Sequence, residues 1–256
     1  MKLSLITINF NDLEGLKKTL ESAGAQTYRA FEHIVIDGGS EDGSAAYLQN
    51  NSDGLAYWVS EKDGGIYDAM NKGLKQAKGD YLLFLNSGDI LYDKNTLEKA
   101  LPHLDGTSFC YGDLILIRNE QREEHRAPES IDLDFMLNST FWHPCVFIAS
   151  SQFKQHGLYR TEFKIAGDYE FFIRCLLKPG TSTKHIPHFI AVFNAEGRSN
   201  DPAFQRLQTE EREKSWTLNL SGLVFSALKA YNRFTRSRFS VWYKRLQHFR
   251  TKGGTE

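Results

Sequence analysis

Two hydrophobic periods alternate along the first ninety residues. Leu3-Ser4-Leu5-Ile6-Thr7-Ile8-Asn9-Phe10 is a nearly continuous, β-branched run, the pattern of a strand buried on both faces. Behind it Asn11 or Asp12 can cap a helix in which Leu13, Leu16 and Leu20 recur at helical spacing. Phe31–Asp37 repeats the strand pattern, a glycine-rich stretch interrupts it, and a short helix follows through Tyr47 and Leu48. Leu55–Val59 predicts a third strand. Asp63 can cap a second long helix, with Ile66, Ala69, Met70, Gly73, Leu74 and Ala77 on a core-facing side. Tyr67, Asp68, Asn71 and Lys72 then fall on or beside the opposite face, a place for solvent or for a ligand. Tyr81–Leu85 predicts a fourth strand. Such alternation means βαβ units and a parallel sheet.

The pattern changes after Asp89. A helix near Thr96–Leu104 leads to an antiparallel pair, Phe109–Ile117 with Arg122–Ala127, and to a short strand at Val146–Ala149. A helix over Asp168–Leu177 stops near Pro179-Gly180, and His185–Phe193 reads as one more strand. Asn194–Pro202 is loop-like, and two helices, about Ala203–Leu218 and Gly222–Arg250, finish the chain. The expected architecture is α/β, a Rossmann-like, mostly parallel central sheet flanked by helices, with a C-terminal helical extension. Residues 1–218 form one domain with halves 1–89 and 90–218, and 219–256 form a tail.

Charge changes this picture only at the end of the chain. The net charge is −1, but residues 222–256 hold eight Lys and Arg against Glu256, so the tail is +7 and the remainder −8. Phe239, Trp242, Tyr243, Leu246 and Phe249 fall near one face of that basic helix. Such a helix can lie on an anionic membrane surface or pack its stripe on the domain. Cys110, Cys145 and Cys175 have no ligand spacing, so neither a disulfide framework nor a zinc site is indicated, and a reducing cytoplasm fits. The chain shows no signal peptide and no run long enough to span a bilayer, which predicts a cytoplasmic or peripheral protein. Nothing points to a nucleic-acid partner.

The candidate chemistry sits where strands end. Open α/β sheets bind ligands at the carboxyl ends of their strands, and there the chain places Asp37-Gly38-Gly39-Ser40-Glu41-Asp42-Gly43 and Asn86-Ser87-Gly88-Asp89. Asp37 can accept hydrogen bonds from a base or ribose, or the segment can be a turn with Asp42 as a cap. A carboxylate at Asp89 can hold a hard cation, and a cation can hold a diphosphate. No GxGxxG or GxxxxGK[ST] motif occurs, which disfavours dinucleotide oxidoreductases and P-loop kinases. Asp168 is placed to cap a helix or to act as a general base. His143 lies in an aromatic context, and Arg198, in a loop, can clamp a phosphate or stay in solvent.

Taken in order, the segments Leu5–Asn11, Asp37–Gly43, Asp63–Gly73, Phe84–Asp89 and Gly167–Glu170 resemble family 2 glycosyltransferases of the GT-A fold. The nearest likeness is to bacterial exopolysaccharide enzymes of the colanic-acid type, which share the Asn-Ser-Gly-Asp variant. The resemblance implies a nucleotide-sugar donor, a UDP-sugar first, a divalent metal (Mn²⁺ or Mg²⁺), and inversion by single displacement. It implies that Thr7, Asn9 and Asp37 line the nucleotide pocket, that Asp63, Asn71 and Asn86 flank the donor, and that Asp89 binds the metal. Asp168 becomes the catalytic base, with His143 and Arg198 on the acceptor side. The usual Asp-x-Asp is absent, because Asn86 and Gly88 occupy its places and leave Asp89 as the carboxylate. The acceptor expected is a polyprenyl-diphosphate-linked oligosaccharide on the inner face of the membrane, reached through the basic tail. The competing readings are a sugar-nucleotide nucleotidyltransferase and an inactive nucleotide-sugar-binding scaffold. Asn9-Phe10-Asn11-Asp12 lacks the basic, glycine-rich character that a triphosphate-binding loop would need.

Overall fold

The computed structural model describes residues 2–194 and 202–234. Arg198 and the aromatic stripe between Phe239 and Phe249 lie outside the described residues. The strands are β1 (Leu3–Asn9), β2 (Phe31–Asp37), β3 (Tyr57–Ser60), β4 (Tyr81–Phe84), β5 (Ile90–Leu91), β6 (Phe109–Arg118), β7 (Gln121–His125), β8 (Val146–Ala149) and β9 (Thr183–Asn194). The helices are α1 (Leu13–Gly24), α2 (Ser44–Asn50), α3 (Ile66–Gln76), α4 (Thr96–Ala100), α5 (Leu133–Asn138), α6 (Ser150–His156), α7 (Gly167–Leu176) and α8 (Pro202–Asn219). A further helix runs over 222–234.

One sheet runs in the order β3-β2-β1-β4-β8-β6-β9-β5, with β7 on β6. The β3-β2-β1-β4 block is parallel, as the βαβ reading requires. β8 then pairs antiparallel to β4, and the second half is mixed. Successive residues of β1 feed opposite layers. Ile6 and Ile8 join a core with α3 and α7, while Leu3 and Leu5 join the core on the other side. Gly73 lets α3 lie close on the sheet, since a Cβ there would come within 2.6 Å of Ile6.

Several sequence expectations shift. Ile66, expected in the core, is 40 % exposed, whereas Tyr67 and Asn71 on the opposite flank are buried. The reason is that α3 is covered twice, by the sheet on one side and by the second half of the chain on the other. Asp63 does not cap α3. Gly65 stands at the cap, and Asp63 Oδ1 accepts from the Gly65 N–H at 2.9 Å. Asp168 is likewise not a cap, because Ala166 holds that position and α7 starts at Gly167. Packing on the core continues past residue 218. Phe225 is buried and stacks on Trp216 at 5.7 Å, and Leu220 and Leu228 pack against the same core.

Candidate active site

Register assembles the first part of the site. Asn9 pairs with Asp37 and Asp37 with Ser60 across three parallel strand ends. Asp37 is fully buried and accepts from Asn9 Nδ2 (2.6 Å), Ser40 Oγ (2.6 Å), Ser40 N (3.0 Å) and Ser60 Oγ (2.5 Å). Burial acts to raise its carboxyl, but these donors outweigh it and hold the group below its ordinary range. Asn11, with φ at 51°, accepts from Glu41 N at 2.9 Å and ties the loop after β1 to the loop after β2. Thr7 lies one layer deeper. Its Oγ1 meets His33 Nε2 at 2.9 Å, and burial pushes that imidazole down to about 4. Asp63 closes over this floor, its Oδ2 lying 2.7 Å from where a Cβ on Gly38 would stand.

The loop after β4 forms the second part. Asn86 Oδ1 and Ser87 Oγ are buried without hydrogen-bond partners, and Asp89 is 6 % exposed. Burial pushes the Asp89 carboxyl up to about 8, and the charge of Asp12 acts in the same direction. Asp12 arrives from the cap of α1, where its Oδ1 accepts from Gly15 N at 3.0 Å. Its Oδ2 stands 3.5 Å from a Cβ placed on Gly88, whose φ of 91° suits glycine. Thr19 Oγ1 fixes the loop by donating to Asp89 O at 2.7 Å and accepting from Gly88 N at 3.1 Å. Sequence spacing conceals Asp12 and Thr19, because they belong to another element and meet the loop only when α1 folds onto it.

The third part joins the two halves. Asp168 on the first turn of α7 accepts from Tyr67 Oη of α3 at 3.0 Å. Gly167 makes this approach feasible, since a Cβ there would come within 2.8 Å of the Tyr67 ring. Burial, reinforced by the Asp168 charge, holds the Tyr67 phenol well above its usual range, so it is a donor. His143 stacks on Phe84 at 4.9 Å and meets Tyr159 Oη at 3.0 Å. Burial pulls the imidazole down, against an opposing pull from Asp168, and favours the neutral ring. The turn His143–Cys145 leads into β8, where Cys145 is buried, and burial pushes the Cys145 thiol well up. Asn71 uses both ends of its amide on the Tyr159 backbone, donating to the carbonyl at 2.9 Å and accepting from the N–H at 3.0 Å. It therefore anchors the aromatic wall and does not point an unpaired amide at a ligand.

Among the described residues no cluster of three or more His, Cys, Asp or Glu could hold a metal. The hard oxygens of Asn86, Ser87 and Asp89 nonetheless suit a Mg²⁺ or Mn²⁺ that keeps its remaining positions for phosphate and water. A buried polar floor at three parallel strand ends, an acidic loop after β4 and a carboxylate on the first turn of α7 held by Tyr67 of α3 make a geometry for a nucleotide-bearing substrate.

A family model described as Glycosyl transferase family 2 matches residues 4–168, well over half the chain. The chain belongs to this family. The glycosyltransferase is 42% identical over 181 residues to an uncharacterized glycosyltransferase of Mycobacterium tuberculosis, covering 68% of this chain and 69% of the relative. A PGL/p-HBAD biosynthesis glycosyltransferase of Mycobacterium bovis is 30% identical over 201 residues, covering 76% and 77%. In fold, the glycosyltransferase matches S. aureus TarS 1-349 in complex with UDP-GlcNAc with a TM-score of 0.65 and 20% identity, over 79% of this chain and 61% of that one. A mannosyltransferase of Pyrobaculum calidifontis in complex with GDP-Man and Mn²⁺ matches with a TM-score of 0.58 and 16% identity, over 77% and 58%. The chain thus spans about three fifths of these solved neighbours. The GT-A architecture expected from the sequence is the one the glycosyltransferase adopts.

Proposed function

We propose that the protein is an inverting glycosyltransferase that moves a sugar from a nucleotide donor to a saccharide acceptor carried on a lipid diphosphate. The observation that carries this reading is Asp168, held by Tyr67 of the donor half at the opening of an acceptor-half helix. In the proposed step Asp168 takes the proton of the acceptor hydroxyl as its oxygen attacks the anomeric carbon. The bond from that carbon to the diphosphate oxygen breaks, and the nucleoside diphosphate leaves with the electron pair. One displacement inverts the anomeric centre, and the proton ends on Asp168. Asn9, Asp37 and Ser60 present the base and ribose with a rigid hydrogen-bonded floor. A divalent cation, Mn²⁺ or Mg²⁺, would offset the charge gathering on the leaving diphosphate, and Asp89, Asn86 and Ser87 are the residues that would hold it. UDP and UDP-GlcNAc in TarS, and GDP-Man in the archaeal mannosyltransferase, favour a nucleoside-diphosphate sugar as the donor class.

The same reading puts the protein on the inner membrane face. No helix among the described residues is long and apolar enough to cross a membrane. The helix over 222–234 exposes Leu223 and Val224, and the basic residues beyond it supply attraction to anionic lipid. Nucleoside diphosphate release from a panel of UDP- and GDP-sugars, with lipid-linked acceptors and Mn²⁺ present, tests the reaction. Asp168→Asn should abolish transfer and leave UDP binding by calorimetry within a few-fold. Retained transfer would remove Asp168 from the chemistry. Flotation with anionic vesicles, comparing the full chain with one ending at Phe234, tests the membrane. Equal flotation would remove the tail's role.

A further inference from the structure

The family match ends at Asp168, yet the segment that aims this residue is held from outside the matched region. Ala166, at the cap of α7, has no side-chain acceptor to offer the helix. Three consecutive backbone donors ahead of the helix converge instead on one carboxylate, 45 to 47 residues further along. Glu211 Oε1 accepts from Lys164 N at 2.7 Å, and Oε2 accepts from Ile165 N and Ala166 N, both at 2.9 Å. Glu211 is 6 % exposed, and among the described residues its carboxylate is held by these backbone N–H groups and by no salt bridge. A buried anion without a counter-charge is costly unless hydrogen bonds replace its water, and here three backbone N–H groups do so. The same face of α8 continues the hold, for Trp216 Nε1 donates to Tyr169 Oη at 2.7 Å and Asn219 Nδ2 to Glu170 Oε1 at 3.1 Å.

We infer that Glu211 is a positioning residue for the transfer reaction: α8 sets the direction of Asp168 through the backbone of residues 164–166, while Tyr67 sets it from the donor side. This rests on Asp168 being the base. Asp168 follows Ala166 by two residues, so rotation of that backbone moves the carboxylate directly. Displacement of a reacting group by about 1 Å can cost about 10²-fold in rate.

The experiment uses the full chain as wild type, Glu211→Gln, Glu211→Ala and Asp168→Asn. Three quantities are read: turnover of the best donor from the UDP- and GDP-sugar panel with water as acceptor, UDP affinity by calorimetry, and amide exchange over 164–168. Glutamine keeps the volume but puts an NH₂ group against at least one backbone N–H, and it serves where alanine fails to fold. The proposal expects turnover to fall about tenfold in Gln and about 100-fold in Ala, UDP affinity to stay within twofold, and exchange to quicken at 164–166 alone. Unchanged turnover despite faster exchange would overturn it. So would a parallel loss of UDP affinity, turnover and melting temperature in Gln, which marks a role in stability only. If Asp168→Asn turns over like wild type, the base reading itself fails, an outcome visible without either Glu211 variant.

Discussion

His33 should make this enzyme acid-sensitive in a way that one substitution relieves. His33 is 5 % exposed beneath the floor of Asn9, Asp37 and Ser60, and among the described residues its ring meets only the Thr7 hydroxyl as a polar partner. Burial holds its pKa at about 4 in the folded chain, against 6.5 when unfolded. The folded value is the lower one, so the unfolded chain binds the extra proton between these limits. Stability from this group is therefore complete above about pH 6.5 and lost as pH falls toward 4. At about 1.4 kcal/mol per unit, the window of about 2.5 units corresponds to about 3 kcal/mol. Urea unfolding followed by tryptophan fluorescence, at half-unit steps from pH 7 to 4, measures it. His33→Gln keeps a polar group for Thr7 but cannot titrate, and its stability should fall about 3 kcal/mol less over the window. The general acid sensitivity of the carboxylates is common to both proteins and cancels in the difference. Parallel curves would refute the reasoning and mean that the imidazole is protonated in place or reached by water.

Three further outcomes test other links. Tyr67→Phe removes the hydroxyl that Asp168 accepts from, a hydrogen bond to a charged group worth about 1.5–3 kcal/mol; steady-state kinetics should show turnover down about 10- to 100-fold at unchanged donor KM, and unchanged turnover would detach Tyr67 from the reaction. Asp89→Ala should abolish Mn²⁺ binding in the presence of UDP, read by electron paramagnetic resonance, and retained binding would place the ion elsewhere. Phe225→Ala should cost about 3 kcal/mol in chemical denaturation, because it empties the stack on Trp216; a silent substitution would mean that the segment after 218 adds nothing to the domain's stability.

How much of this was legible in advance depended on the range of the interaction. The apolar pattern gives β2 and β8 the bounds they have, and β1 and β4 to within a residue, because short, largely apolar runs that end at polar segments admit little else. α5 and α6 escaped, being short segments whose helical period is too brief to register. The faces of α3 were assigned on the premise of one buried side. Tyr67 and Asn71 broke that premise because polar groups can be buried when a partner from far along the chain meets them.

The sequence by itself determined the parallel half, the family and the strand ends where chemistry gathers, since periodicity and motif spacing are local properties. Tertiary structure alone decided which groups meet. Asp12 came beside Asp89 through the packing of α1, Tyr67 reached Asp168 across a gap that only glycine leaves open, and Glu211 gripped the backbone ahead of α7. Each of these depends on contacts across tens of residues, whose geometry is set by how helices seat on the sheet and has no period that a linear reading could detect.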